Sequence, residues 1–154
     1  MPPALDALGV TRGTYAVGLF LASPITCRIG ALGAWELPQG GYLYVGSAWG
    51  PGGLRARVGR HLRGSDQRRW HIDYLRQVAE PVSAWLAPHA HLECAWARFL
   101  TESPIADIII PGFGASDCGC AAHLFYIDGD LPTLHLPGAP DVIQVDIRPP
   151  RAIL

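Results

Sequence analysis

Hydrophobic positions along the chain fall into short stretches with two distinct periods. From Gly13 to Leu21, Tyr15, Val17, Leu19 and Leu21 alternate with Thr14, Ala16, Gly18 and Phe20, the two-residue period of a strand buried on at least one face. GYLYVGSA at 41–48 repeats that signal, and the apolar pieces between Ile25 and Gly40, split by Gly and Pro, suggest an extra hairpin. After the GPGG turn at 50–53, Leu54, Val58 and Leu62 recur one helical turn apart within LRARVGRHLR, which predicts a short helix. A second helix is expected from a Ser65 or Asp66 cap through Ala79, with Trp70, Tyr74, Leu75 and Val78 turned inward and Pro81 ending it. VSAWLA at 82–87 reads as a strand. Leu92, Trp96, Phe99 and Leu100 space as the core face of a third helix from about His89 to Glu102. Ile108–Ile110, His123–Ile127 and Val142–Ile147 are candidate strands, with PGFGASDCGC at 111–120 an irregular loop between the first two. The order β, β, α, α, β, α and then β predicts an α/β or α+β fold with a small, mainly antiparallel sheet flanked by helices.

Size and composition narrow the class. With 154 residues, 49% of them hydrophobic and 16% charged, the chain suits a single domain spanning 1–154, its core at about 12–127 and a β-rich extension at 128–154. The 18 Gly and 14 Pro make up about a fifth of the sequence, below the ~25–30% that marks disorder. All 12 basic residues are Arg, and neither Lys nor Asn occurs; a Schiff-base lysine and a P-loop are thereby excluded, and cationic chemistry must be guanidinium chemistry, suited to bidentate phosphate contacts. No apolar run approaches the ~18 residues of a membrane span and the first residues lack a basic n-region, so a cytoplasmic protein is expected. Cys27, Cys94, Cys118 and Cys120 are too few for a disulfide scaffold of this length, and should be reduced thiols or metal ligands.

The net charge of −1 conceals a local patch. Arg55, Arg57, Arg60, Arg63, Arg68, Arg69 and Arg76 lie within 22 residues that hold only two acids, Asp66 and Asp73. Such a run is either a solvated helix face or a phosphate-contacting surface. Arg57 and His61, four apart, share a helix face at the border of the Leu54/Val58/Leu62 stripe. Trp70 and Tyr74 read as core residues, or as aromatics able to stack on an unpaired base. Cys118, Cys120 and His123 in one loop, with Cys94 on a helix, supply enough ligands for a structural Zn²⁺ site; C-x-C with His three later is not a standard finger spacing, and buried thiols are the competing reading.

GTY at 13–15, YVG at 44–46 and LRARVGRH at 54–61, followed by Glu93 on a helix, resemble the GIY-YIG nuclease superfamily. YVGSA, the Gly-rich turn, RHLR, WHIDYL and the GFGASDC loop are similar to its Uri-type endonuclease group, over roughly residues 12–127. The resemblance implies a metal-dependent endonuclease hydrolysing DNA phosphodiester bonds with one metal ion. Tyr15 would handle the proton of the water, helped by Tyr44 or His61; Arg57 would neutralise transition-state charge, and Glu93 would hold Mg²⁺ or Mn²⁺. As a base Tyr15 would need nearby cations to depress its pKa from ~10, which Arg57 and the metal could supply. Arg55, Arg60, Arg63, Arg68 and Arg69 would contact the backbone of single-stranded or structured duplex DNA, with selectivity coming from the chain's own loops or a repair-protein partner. Three departures stand out: Thr14 replaces the usual Ile; Tyr15 and Tyr44 lie 29 positions apart rather than close in sequence, a spacing that the insert at 25–40 absorbs; and the family's later Asn is absent, leaving Ser116, Asp117 or His123 to take its place. The rival readings are a nucleic-acid-binding module without cleavage, and a zinc-stabilised interaction protein whose Arg patch meets an acidic partner.

Overall fold

A computed structural model describes residues 1–128, 131, 134–138 and 141–147. In chain order the elements are α1 (Pro3–Leu8), β1 (Gly13–Leu21), β2 (Ile25–Arg28), β3 (Ala34–Leu37), β4 (Gly40–Ala48), α2 (Gly53–Arg63), α3 (His71–Leu75), β5 (Glu80–Pro88), α4 (Glu93–Thr101), β6 (Ala106–Asp107), β7 (Leu124–Ile127) and β8 (Ile143–Asp146). The fold is α+β. Six strands form one antiparallel sheet in the order β6-β7-β4-β1-β5-β8, and β2 pairs with β3 in the expected separate hairpin.

Alternation along β1 assigns its two faces. Tyr15, Val17 and Leu19 join Tyr42, Tyr44 and Leu86 in a core shared with Leu5 of α1, Leu54 and Val58 of α2 and Ile72 of α3. Ala16, Leu43, Val45, Trp85 and Ala87 face the opposite way, against Trp96, Ala97 and Leu100 of α4 and Leu131, Leu134 and Leu136. Because both faces are covered, β1 and β4 are buried almost throughout, as their near-continuous apolar character requires. Trp85 and Trp96 bring their indole N–H groups into the second core by donating to the carbonyls of Leu134 and Pro137. Part of the expected C-terminal β-rich extension lies outside the described residues; within them, β8 adds to the β5 edge.

Four local expectations change. The helix expected from Ser65 to Ala79 shrinks to the five residues of α3. Residues 65–69 are polar and have no face to bury, the Ser65 hydroxyl accepts from the Gln67 N–H in a turn, and the Asp73 carboxylate accepts from the Arg69 and Trp70 N–H groups to start the helix late. α4 also starts later than His89, because His89 takes a positive φ of 64° and Leu92 is bonded back to β1. Phe99, expected inside, is 39% exposed, since Trp96, Ala97 and Leu100 form the buried stripe. Ile108–Ile110 is not a strand: Ile108 packs into the second core and Ile110 into the first, so the chain crosses from one face of the sheet to the other there. α1 is too short to show a hydrophobic period; its Pro3 start and Gly9 end enclose a turn that buries Leu5.

Candidate active site

Antiparallel pairing places Tyr15 opposite Gly46 and Val17 opposite Tyr44, so the two tyrosines are diagonal neighbours on one face despite the hairpin inserted between them. Their ring centroids are 6.4 Å apart. A Cβ at Gly46 would overlap the Tyr15 hydroxyl; the glycine of YVG is the space in which the phenol lies. α2 crosses the same face and supplies His61, whose Nε2 is 2.7 Å from the Tyr15 oxygen, a hydrogen bond between two buried side chains. The His61 ring also meets that of Tyr44 edge-on at 5.7 Å. Its Nδ1 is buried without a hydrogen-bond partner among the described residues.

Burial governs the electrostatics. It holds the Tyr15 phenol well above its ordinary pKa, reinforced by Tyr44, while Arg57 pulls the other way and loses. Burial likewise raises Tyr44, joined by the negative charge of Glu93. Arg57 alone therefore does not bring Tyr15 down, and the phenol is neutral at pH 7. His61 is pushed down to about 3 by burial, with Asp73 opposing and Arg57 and Arg60 adding to the depression, so the imidazole too is neutral at pH 7.

Arg57 lies one turn before His61, half-buried, with its guanidinium 4.3 Å above the Trp70 ring and 3.4 Å from the Ser47 carbonyl. The guanidiniums of Arg60 and Arg69 are 4.7 and 4.9 Å from the same ring, so Trp70 is engaged by cations rather than open as a stacking platform. Ala48, Gly50, Pro51 and the first turn of α2, with Arg57, Arg60, Arg69 and Trp70, enclose a groove of about 280 Å³. Guanidiniums converging on one groove favour an anion.

The remaining arginines divide by role. Arg55, Arg63, Arg68 and Arg69 are exposed. Arg60, expected to meet DNA, lines the groove and also donates to the buried Asp73 at 2.7 Å and to the Gln67 carbonyl. Arg76 donates to the carbonyls of His61, Leu62 and Ala79 and so closes the end of α2.

Glu93 opens α4, on the other face of the sheet, yet its charge raises both tyrosines; it sits at their end of the sheet. Thr14 holds it there. The buried Thr14 hydroxyl donates to the Ala90 carbonyl at 2.7 Å and accepts from the Leu92 N–H at 2.8 Å, fixing the backbone just ahead of Glu93. Trp49 stacks on His91 at 3.7 Å, nearly parallel, and clamps the same lead-in. Neither Thr14, Trp49 nor His91 is distinguished by local pattern, because their partners lie far away in sequence.

A family model for Domain of unknown function DUF123 matches residues 14–136. The chain belongs to this family. No curated protein and no solved structure matches it significantly. The DUF123 region takes in every residue of the site just described and excludes α1 and β8.

Within the DUF123 region, the 111–120 loop forms the wall beside Tyr44. Gly114, at φ 70°, brings its backbone against the Tyr44 ring, where a side chain would not fit, and donates its N–H to His71 Nδ1 at 2.8 Å. Phe113 meets both Tyr44 and His71 edge-on. Of the proposed substitutes for the absent Asn, Ser116 and Asp117 are exposed on this loop. His123 is turned away, with Nε2 at 3.4 Å from Cys118 Sγ. Cys94, Cys118, Cys120 and His123 bring one ligand atom each to within 4.8 Å of one another. Cys27 is the buried thiol; Cys94 is exposed and Cys118 and Cys120 are intermediate. Burial and the crowding sulfurs of Cys94 and Cys118 push Cys120 up to about 12.

Proposed function

We propose that this chain is a divalent-metal-dependent endonuclease that hydrolyses DNA phosphodiester bonds, as its resemblance to GIY-YIG nucleases implies. The observation that carries this reading is the convergence at one end of the sheet of a bonded Tyr15–His61 pair, Arg57 beside an anion-accepting groove, and the carboxylate of Glu93. The scissile phosphate would lie in the groove, with Arg57 neutralising charge that grows on its non-bridging oxygens.

Water must lose a proton as it attacks. A phenol held neutral by burial is a poor resting base, so Tyr15 acts as a relay: its oxygen takes the water proton as its own passes to His61 Nε2, 2.7 Å away. The low proton affinity of His61 in the resting protein rises when a phosphate anion enters beside it, since an opposite charge favours imidazolium. Tyr44 packs against both rings, tilted on Tyr15 and edge-on to His61.

Glu93, with its side chain 31% exposed, offers one hard oxygen donor group, suited to Mg²⁺ or Mn²⁺ that keeps several waters. Such an ion, when bound, supplies Lewis-acid stabilisation of phosphoryl charge. A second reading, a nucleic-acid-binding module without cleavage, is favoured by the 1% exposure of Tyr15. Incubation with single-stranded, duplex and flap DNA, with Mg²⁺ or Mn²⁺ and with EDTA, separates the two. Cleavage that requires the metal and disappears in Glu93→Gln, with DNA affinity retained, is the expected result; binding without cleavage under every condition would leave the module.

A further inference from the structure

The cysteine–histidine cluster has four potential ligands from three places: Cys94 in the first turn of α4, Cys118 and Cys120 in the loop, and His123 just ahead of β7. Tetrahedral zinc with Zn–S ~2.3 Å and Zn–N ~2.0–2.1 Å has ligand–ligand edges of about 3.6–3.8 Å. The cluster is already near that size, with every pair within 4.8 Å and the Cys118 to His123 pair at 3.4 Å. Reduced, unliganded thiols have little reason to gather around one imidazole, since S–H groups make only weak hydrogen bonds.

A second feature points to a cation. His123 is 1% exposed, yet its Nδ1 has no hydrogen-bond partner among the described residues. That atom faces the Glu93 carboxylate at 3.8 Å while Nε2 faces the sulfurs. A zinc-bound imidazole is commonly backed in this way, by a carboxylate that takes the proton of the other nitrogen and fixes the tautomer. An access path exists as well: an open cleft of about 400 Å³ runs past Cys94, Cys120 and Gly119 along α4.

We infer that Cys94, Cys118, Cys120 and His123 form a closed, structural Zn²⁺ site, with Glu93 as the carboxylate behind His123. Three thiolates and one imidazole select a soft-to-borderline tetrahedral ion and leave no open position for substrate water. Binding releases the thiol protons to solvent as the three Zn–S bonds form. The site staples α4 to the loop, and the loop to the tyrosines. Gly112 N–H donates to the Ala121 carbonyl and His123 N–H to the Phe113 carbonyl, so the ligand segment is laced to the residues that pack on Tyr44 and His71. This inference stands independently of the nuclease reading, although Glu93 serves both.

The test uses the full chain, purified under reducing conditions. Elemental analysis should find one zinc per chain, and replacement with Co²⁺ should give the visible bands of tetrahedral cobalt together with thiolate-to-cobalt charge transfer. Cys94→Ser, at an exposed position, should reduce zinc to well below one per chain, whereas Cys27→Ser should keep it. Glu93→Gln should retain the tetrahedral cobalt spectrum but weaken zinc affinity ~10–100-fold against a chromophoric chelator. If the chain takes up no zinc, or binds cobalt as a six-coordinate ion without thiolate bands, the site is overturned. Unchanged metal content in Cys94→Ser overturns the ligand assignment. The cobalt spectrum of the unsubstituted chain decides the matter even where a variant fails to fold. Zinc without DNA cleavage removes only the nuclease reading; cleavage without zinc removes only this one.

Discussion

Replacing Tyr15 by Phe tests the Tyr15–His61 pair as both a structural and a chemical unit. The ring stays, and with it the packing against Tyr44 and His61 at 6.4 and 5.4 Å, so no cavity opens. What is lost is one 2.7 Å hydrogen bond inside the core. His61 then has neither nitrogen partnered, because its Nδ1 already lacks one. A buried polar group left unsatisfied costs ~1–3 kcal/mol, which for a domain of this size corresponds to a fall in melting temperature of roughly 2–12 °C at ~2–4 °C per kcal/mol. Loss of a proton relay lowers cleavage by ~10²–10⁴. The two effects are separable by measuring thermal unfolding and single-turnover DNA cleavage well below the variant's melting temperature. If stability falls and turnover persists, the phenol is structural and the relay is wrong. If the melting temperature is unchanged, the energetic weight given to the buried bond is refuted whatever happens to cleavage.

Acid should destabilise the fold through His61. Its pKa is about 3 in the folded chain against an ordinary 6.5, so below pH 6.5 the unfolded chain binds the extra proton, and stability present above that pH is lost towards pH 3 at up to ~1.4 kcal/mol per pH unit. Urea titrations at pH 7, 6 and 5 check this, with His71, also lowered by burial, adding in the same direction; a flat profile would contradict it. Thr14→Val should cost ~1–3 kcal/mol by orphaning the Leu92 N–H and Ala90 carbonyl, and Thr14→Ser should restore most of it in the same denaturation assay. Replacing Arg55, Arg63 and Arg69 together with Ala should reduce the log–log salt slope of DNA binding by about 2–3, at ~0.7–0.9 per phosphate contact, with the fold unaffected; an unchanged slope would make these residues a solvated face.

Legibility in the sequence followed the range over which each signal acts. β1 and β4 could be read because alternation is local and both of their faces are buried. α2 could be read from Leu54, Val58 and Leu62. The helical period of Trp70, Tyr74 and Val78 runs past the true extent of α3, because the polar stretch ahead of them is held by side-chain bonds that carry no periodic signal, from Asp73, Arg60, Gln77 and Ser65. At the candidate site, residue types were visible but their states were not: Tyr15 and His61 bond across 46 positions, and it is the depth of their burial that makes both neutral. Thr14 was registered only as a departure from a motif, because its partners are 76 and 78 positions away. Arg60 and Arg76 looked like part of a uniform basic surface until Asp73 and the end of α2 were seen to occupy them.

The central position of β1 sets the timing of folding. Its neighbours are β4 on one edge and β5 on the other, and β5 does not begin until Glu80, long after Leu21 has been made. β4 is complete only at Ala48, and at ~5–20 residues per second synthesis from there to Glu80 takes roughly 2–6 s. During that interval the β1–β4 ribbon carries an open edge and an uncovered apolar face, the one that α4 later closes with Trp96 and Leu100. Nascent chains are therefore most prone to edge-to-edge association before residue 101 emerges, and early chaperone contact should raise soluble yield without altering the finished fold.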